Sequence, residues 1–531
     1  MAFETRIDHV PVRYRLLPIL WFTIAAGCGR VGFDAVRSSD ADAYVADGTD
    51  AAISDIAQRA YIKASNTGAG DRFGDSIAMS ADRSTLAVGA YLEASAATGV
   101  NGDQTDDTAT NAGAVYVFTR TGQSWTQQAY LKPSNTGAGD EFGYRVALTG
   151  DGSTLVVGAY REDSAATGSG GDQANNTAMD AGAVYVFARA GTSWSQQTYL
   201  KASNTRPGDL FGASIAISAD SSVLAVGAFG EDSGAVGIDG NQTDNSASNA
   251  GAVYIFRRVG STWIQEAYCK ASNTGAGDQF GDSVALSSDG GRLVTAAVAE
   301  DSSATGLDGN QADNAANEAG AVYVFSRAGS RWNQEAYVKA SNTGAADQFG
   351  YKVAMSADGS SVAIAAAFED GSGANQADDT AADAGAVYVF TRAAAPWTQQ
   401  AYVKASNAAA GDLFGGGGLA FSNNGSVLAI SAPGEDSAAT GTSGNMADDT
   451  APDAGALYLV ARSAAGWTHM LYVKASNSGA QDLFGSALAN AGGDGSLIAV
   501  GAPDESSDAV GIGGNEASNA AARSGAVYVF E

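Results

Sequence analysis

Histidine and cysteine are almost missing from this chain, with two of each in 531 residues. That leaves no imidazole or thiolate set for a transition-metal site, no disulfide framework and no plausible histidine for a Ser-His-Asp triad. His9 lies in the N-terminal segment, and His469 aligns with Gln127 on an outer strand. Positive charge is scarce as well. Lys+Arg number 29 against 58 Asp+Glu, a formal net charge of −29, so the phosphates that nucleic-acid binders must neutralise would be repelled. Beyond the first 28 residues no apolar run is long enough to span a bilayer, which takes roughly 20 residues. What is present is 45% apolar residues and 68 glycines, too much apolar character for an acidic disordered tail.

The N-terminus reads as an export signal. Arg13 and Arg15 precede the apolar run from Leu16 to Ala26, which ends at Gly27-Cys28. Ala25-Ala26-Gly27-Cys28 resembles a bacterial lipobox, in which the thiol of Cys28 is lipidated, although the position three before the cysteine is Ala rather than the usual Leu. The competing reading is an ordinary signal peptide on a secreted protein. Gly29 after the cysteine favours an outer-membrane or surface destination. Residues 29–55 are polar and acidic without periodicity, the composition of a flexible tether.

From residue 56 onward one unit recurs seven times. The lysine of an Ala-Tyr-x-Lys-Ala-Ser-Asn phrase, or of a near copy with Pro133, Thr198 or Leu471 in place of an Ala, stands at Lys63, Lys132, Lys201, Lys270, Lys339, Lys404 and Lys474. A Phe-Gly pair follows each one: Phe73-Gly74, Phe142-Gly143, Phe211-Gly212, Phe280-Gly281, Phe349-Gly350, Phe414-Gly415 and Phe484-Gly485. Each unit closes with a strand-like Gly-Ala-Val-Tyr-Val-Phe or a near copy, beginning at Gly113 in the first and Gly525 in the last.

Four β-like runs are read per unit, exemplified by 76–80, 85–90, 114–118 and 125–131. The third is apolar at both parities, so both of its faces must be covered. The fourth alternates, with Trp125, Ala129 and Leu131 on one side and Thr126, Gln128 and Lys132 on the other. Inner strands covered on both sides beside a half-wet outer strand describe a propeller blade. The seventh unit stops at Phe530-Glu531 without a fourth strand, and a spare one, 56–63, precedes the first unit. The expectation is an all-β, closed seven-bladed propeller of four-stranded blades over 56–531, its ring sealed by the N-terminal strand. Cys269 falls at the position of Ile62 and Leu131 and reads as a small buried hydrophobe.

Phe484-Gly485, Val500-Gly501-Ala502-Pro503 and Gly525-Ala526-Val527-Tyr528-Val529-Phe530 together resemble the FG-GAP repeats of integrin α-subunit propellers and related bacterial proteins. The GAP element is degenerate elsewhere, as in Gly89-Ala90-Tyr91. The resemblance implies a seven-bladed propeller used mainly for extracellular binding and adhesion, with the ligand usually met on one loop face. Family members often bind calcium through an Asp-x-Asp-x-Asp-Gly loop between strands one and two. The corresponding stretch here, Ser80-Ala81-Asp82-Arg83-Ser84 or Thr149-Gly150-Asp151-Gly152-Ser153, offers single carboxylates, so those sites are not carried over.

The longest irregular stretch of each unit joins strands two and three, and the seven together hold 31 carboxylates against Arg161 and Arg523. In a four-stranded meander these loops share one face with the connections between blades. Two readings stand for them. Glu231, Asp232, Asp239 and Asp244, and likewise Glu300, Asp301, Asp308 and Asp313, could wrap a hard cation such as calcium. Alternatively Asp, Asn and Gly simply make turns. Asp71 and its six equivalents, each ahead of an x-Phe-Gly, read as structural turn residues. Seven near-identical loops suggest a repeated surface rather than one active centre. The functional expectation is therefore a monomeric, surface-anchored, non-enzymatic binding or adhesion module meeting an extracellular protein or carbohydrate. The alternative is an extracellular polysaccharide hydrolase or lyase using paired loop carboxylates.

Overall fold

The computed structural model describes residues 56–392, 396–442, 444–464, 466–491 and 495–531; the segment read as an export signal, with Cys28, and the stretch 29–55 read as a tether lie outside the described residues. The chain first lays down β1 (Gln58–Ile62). The first complete blade follows as β2 (Ser76–Met79), β3 (Thr85–Ala90), β4 (Ala114–Thr121) and β5 (Ser124–Leu131), paired antiparallel in that order. Five further blades repeat this meander. The seventh consists of Ala487–Ala491, Leu497–Ala502 and Ala526–Phe530, and β1 completes it as the outer strand. Tyr61 lies opposite Tyr528 and Ile62 opposite Val527, which seals the ring.

The unbroken apolar run of β4 now has its cause. Ala114, Tyr116 and Phe118 pack with Val527 and Val529 of the seventh blade, whereas Val115 and Val117 pack with Phe142, Leu155 and Val157 of the second. Each face of the strand is an interblade interface, so neither parity can be polar. The seven hydrophobic clusters of the described residues correspond to the seven interfaces between neighbouring blades.

The Phe-Gly pair locks each blade to the one before it. The Phe142 ring lies edge-on to Tyr185 and Phe187 of its own blade, at centroid distances of 5.4 and 6.0 Å. Its backbone N–H meanwhile donates to Ala112 O of the first blade at 3.0 Å. A Cβ on Gly113 would sit 2.0 Å from Phe142 O, and Gly113 has φ of +80°, so this close approach of two backbones requires glycine. Gly525 meets Phe73 in the same way across the ring closure.

The outer strand departs from simple alternation. A β-bulge at Gln128 shifts the register between Val117, opposite Ala129, and Phe118, opposite Gln127. Beyond the bulge Ala129, Tyr130, Leu131 and Lys132 are all buried. Lys132, read from the sequence as facing outward, is therefore enclosed, because the bulge and the end of the strand turn it under the long loop.

Lys63, just past β1, carries its ammonium to 2.8 Å from the buried Glu505 carboxylate. A truncation beginning at residue 64 removes that cation and exposes the edge of Ala526–Phe530. Removing one partner of a buried pair costs about 3–5 kcal/mol, so a lowered denaturant midpoint and aggregation in light scattering are expected. A truncation beginning at residue 56 leaves every described residue in place and should unfold like the full chain. Indistinguishable midpoints for the two truncations would contradict the closure.

Candidate functional site

Every long loop begins with a glutamate one residue past the end of the tight turn after strand two: Glu93, Glu162, Glu231, Glu300, Glu369, Glu435 and Glu505. All seven are buried, and so are the seven repeat lysines. Each glutamate accepts from one lysine at 2.7–3.0 Å. It also accepts from the tyrosine two residues before that lysine, at 2.7–3.0 Å. A third donor, the asparagine amide of the preceding Lys-x-Ser-Asn segment, lies at 2.8–3.2 Å. In the first blade the set is Lys132, Tyr130 and Asn66 around Glu93, with the Tyr116 hydroxyl donating to Asn66 Oδ1 at 2.5 Å.

The Lys-x-Ser-Asn segment thus straddles two blades: Lys63 serves Glu505 of the seventh and Asn66 serves Glu93 of the first. Burial pulls the lysines below their ordinary range, and the charge and hydrogen bond of each glutamate resist that pull. These pairs were not read from the sequence. The available signal was that a lysine and a glutamate recur together in all seven units, the lysine 39 residues after the glutamate in the first four.

This network decides what the candidate cation ligands can do. Glu231 and Glu300 have their oxygens occupied by Lys270, Tyr268 and Asn204, and by Lys339, Tyr337 and Asn273. Asp232 accepts the Asn249 N–H at 2.9 Å, and Asp301 accepts the Glu318 N–H at 2.8 Å. Asp239 and Asp308 each accept a backbone N–H of the outer strand, from Tyr268 and Tyr337, at 3.0 Å. Asp244 is bonded to the backbone and hydroxyl of Ser246, and Asp313 to those of Ser303. Among the described residues no three His, Cys, Asp or Glu side chains stand together as a metal shell. The eight carboxylates are dispersed along their loops and do not fit the six to eight oxygens of a calcium site.

With seven glutamates neutralised internally, 24 of the 31 loop carboxylates remain on this face beside Arg161 and Arg523. Lysine contributes nothing to offset them, since seven of the eight in the chain are spent in the buried pairs. Apolar tips project from the same loops: Met179, Val236 and Val510 are 68%, 56% and 59% exposed. The remaining sequence candidates are inert. Cys269 is fully buried, which raises its thiol pKa above the ordinary range, and His469 Nε2 lies 2.7 Å from Lys404 O.

A family profile described as FG-GAP repeat matches residues 56–118, 125–187, 194–256 and 332–390. Each matched stretch opens at the outer-strand position of Ile56 or a tryptophan and ends on the last aromatic of the following third strand, so it crosses a blade junction. No curated protein matches the sequence. Among solved structures, the periplasmic gluconolactonase PpgL of Pseudomonas aeruginosa aligns at 14% identity and TM-score 0.44, covering 80% of this chain and 98% of its own. Sqt1 of Saccharomyces cerevisiae aligns at 11% identity and TM-score 0.41, covering 84% and 82%. Likenesses this distant carry no argument about activity.

The turns ahead of each Phe-Gly hold a second sevenfold set. Asp71 Oδ2 accepts the Gly68 N–H at 2.8 Å, a bond to the backbone three residues earlier, and its six equivalents do the same at 2.7–2.9 Å. Burial pushes Asp71 and Asp278 up to about 6 and Asp140, Asp209, Asp347, Asp412 and Asp482 up to about 7; nearby loop carboxylates add to it and the accepted N–H offsets it only in part. An unfolded aspartate titrates near about 3.9. The folded state therefore keeps protons that the unfolded chain has lost. Their stabilising contribution is full below about pH 4 and disappears as pH rises through about 7. The melting temperature should be higher at pH 5 than at pH 8. Asp209→Asn, which can still accept the Arg206 N–H, should narrow that gap. A melting temperature that rises from pH 5 to pH 8 would contradict this reading.

Proposed function

Because the chain is an FG-GAP repeat protein, we propose that it is a non-enzymatic binding module of the cell surface whose acidic loop face engages a basic extracellular protein. The observation that carries this reading is the disposition of charge. The lysines are turned inward onto seven glutamates, while the rest of the loop carboxylates and the apolar tips of Met179, Val236 and Val510 share one face. A basic partner with apolar side chains would be complementary to such a surface, and its encounter would be accelerated by the long-range field. The near-identity of the seven loops, which makes a repeated surface rather than one singular centre, supports binding over catalysis. Anchoring through Cys28 would keep the propeller at the cell surface at the end of the 29–55 tether.

The test is an array of basic and acidic proteins and of glycans probed with the full chain at low and high salt. Binding should be confined to basic proteins and should weaken as salt rises. Asp239→Asn with Asp308→Asn and Asp107→Asn, all at exposed loop positions, should lower affinity roughly tenfold, mainly through slower association. Capture of glycans alone, or affinity unaffected by salt and by the three substitutions, would overturn the proposal.

A further inference from the structure

The outer loops repeat, but the propeller axis does not. The residue pair directly after each Phe-Gly lies at the entry to the innermost strand, and in chain order it reads Asp75-Ser76, Tyr144-Arg145, Ala213-Ser214, Asp282-Ser283, Tyr351-Lys352, Gly416-Gly417 and Ser486-Ala487. Residues of every pair line an axial cavity of about 440 Å³ to which all seven blades contribute. Leu413, Leu483 and Pro433 from the connecting loops also line it, on the side of the acidic face.

Two cations project into this space on anchored aromatics. The Arg145 guanidinium lies 4.2 Å from the Tyr144 ring centroid, and that ring meets Tyr160 in a tilted contact at 4.0 Å and Tyr91 edge-on at 5.6 Å. The Lys352 ammonium lies 4.9 Å from the Tyr351 ring, itself met edge-on by Phe368 at 5.5 Å. Among the described residues neither cation has a carboxylate within 4.0 Å, and Asp282 likewise has no cation within that distance. Asp75 is already engaged by Arg72 at 3.6 Å. Burial and then Arg145 push Lys352 down to about 8, and Asp282 and Asp75 only partly counter this. The cavity is therefore lined by two cations that act on each other, Arg145 (one of whose N–H groups donates to Tyr144 O at 2.8 Å) and Lys352, by the Asp282 carboxylate, and by apolar walls from Ile77, Val353 and Leu488.

We propose that this axial cavity binds a small organic carboxylate with an apolar tail and an amino or hydroxyl group beside the carboxylate. The carboxylate bridges Arg145 and Lys352, the amino or hydroxyl group donates to Asp282, and the tail lies toward the aliphatic side of the cavity. The volume accommodates a molecule of roughly ten to fifteen non-hydrogen atoms, within the usual range of small-molecule pockets.

Four probes of one skeleton test this: phenylalanine, 3-phenyllactate, 3-phenylpropionate and phenylalaninamide, each measured by calorimetry on the full chain. Phenylalanine or phenyllactate should bind and raise the melting temperature, and whichever is tighter identifies the donor as ammonium or hydroxyl. Phenylpropionate, which lacks the donor, and phenylalaninamide, which lacks the carboxylate, should each bind about tenfold or more weakly. Lys352→Met and Arg145→Gln should each weaken binding about tenfold or more. A readout that needs no variant is modification of Lys352 by a small amine reagent, which the bound carboxylate should block. Failure of all four probes, equal binding of phenylpropionate, or unprotected Lys352 at saturating ligand would overturn the proposal, whatever the outcome for the loop face.

Discussion

Each blade depends on a glutamate that has been taken out of water together with everything that compensates it. A buried carboxylate without partners is costly enough that the protein would neutralise or unfold rather than keep it. Here one side chain receives a lysine and a tyrosine from the outer strand of its own blade and an asparagine from the segment that enters that blade. The root of the long loop, the end of the outer strand and the junction with the previous blade are thereby fixed at one point. A buried ion pair is weak evidence for net stability, but it is demanding about geometry. We take its role to be register: a blade slipped by one residue would leave a carboxylate and an ammonium buried apart.

The same point explains the closure. β1 would be a short, half-exposed strand if its only attachment were the ladder to Ala526–Phe530. Because Tyr61 and Lys63 both end on Glu505, the first strand of the propeller is held to the last blade by the contacts that hold every other outer strand. Around this frame the seven units can be compared at the exposed tips of the long loops and at the residues lining the axis. The tips vary little and the axis varies strongly. Repetition serves the frame and the outer face, whereas the asymmetric charges at Arg145, Asp282 and Lys352 are features of individual blades.

Much of the fold was legible in the residues. The spacing of the Phe-Gly pairs and the missing fourth strand of the last unit predict seven blades and a shared one, and β3 falls on the expected 85–90. The outer strand was misread at its end, because alternation assumes a regular pleat and a bulge at Gln128 breaks it. Loop charge was overcounted for a different reason: Glu231 and Glu300 look like their exposed neighbours in sequence, and only the fold brings a lysine from 39 residues away onto each. The turn chemistry of Asp239, Asp244, Asp308 and Asp313 was anticipated in kind. The axial residues were passed over because a search for repeats averages out the positions that differ.

The central claim is that the lysines of this acidic protein are structural and enclosed. It is tested most directly by saturating the native full chain with a small amine-reactive reagent and locating the modified residues by mass spectrometry. The account predicts that of the eight lysines only Lys352, which borders the axial cavity, reacts in the native state, and that all eight react after denaturation. Modification of Lys63, Lys132, Lys201, Lys270, Lys339, Lys404 or Lys474 in the folded protein, at a rate comparable to that of the unfolded chain, would contradict it.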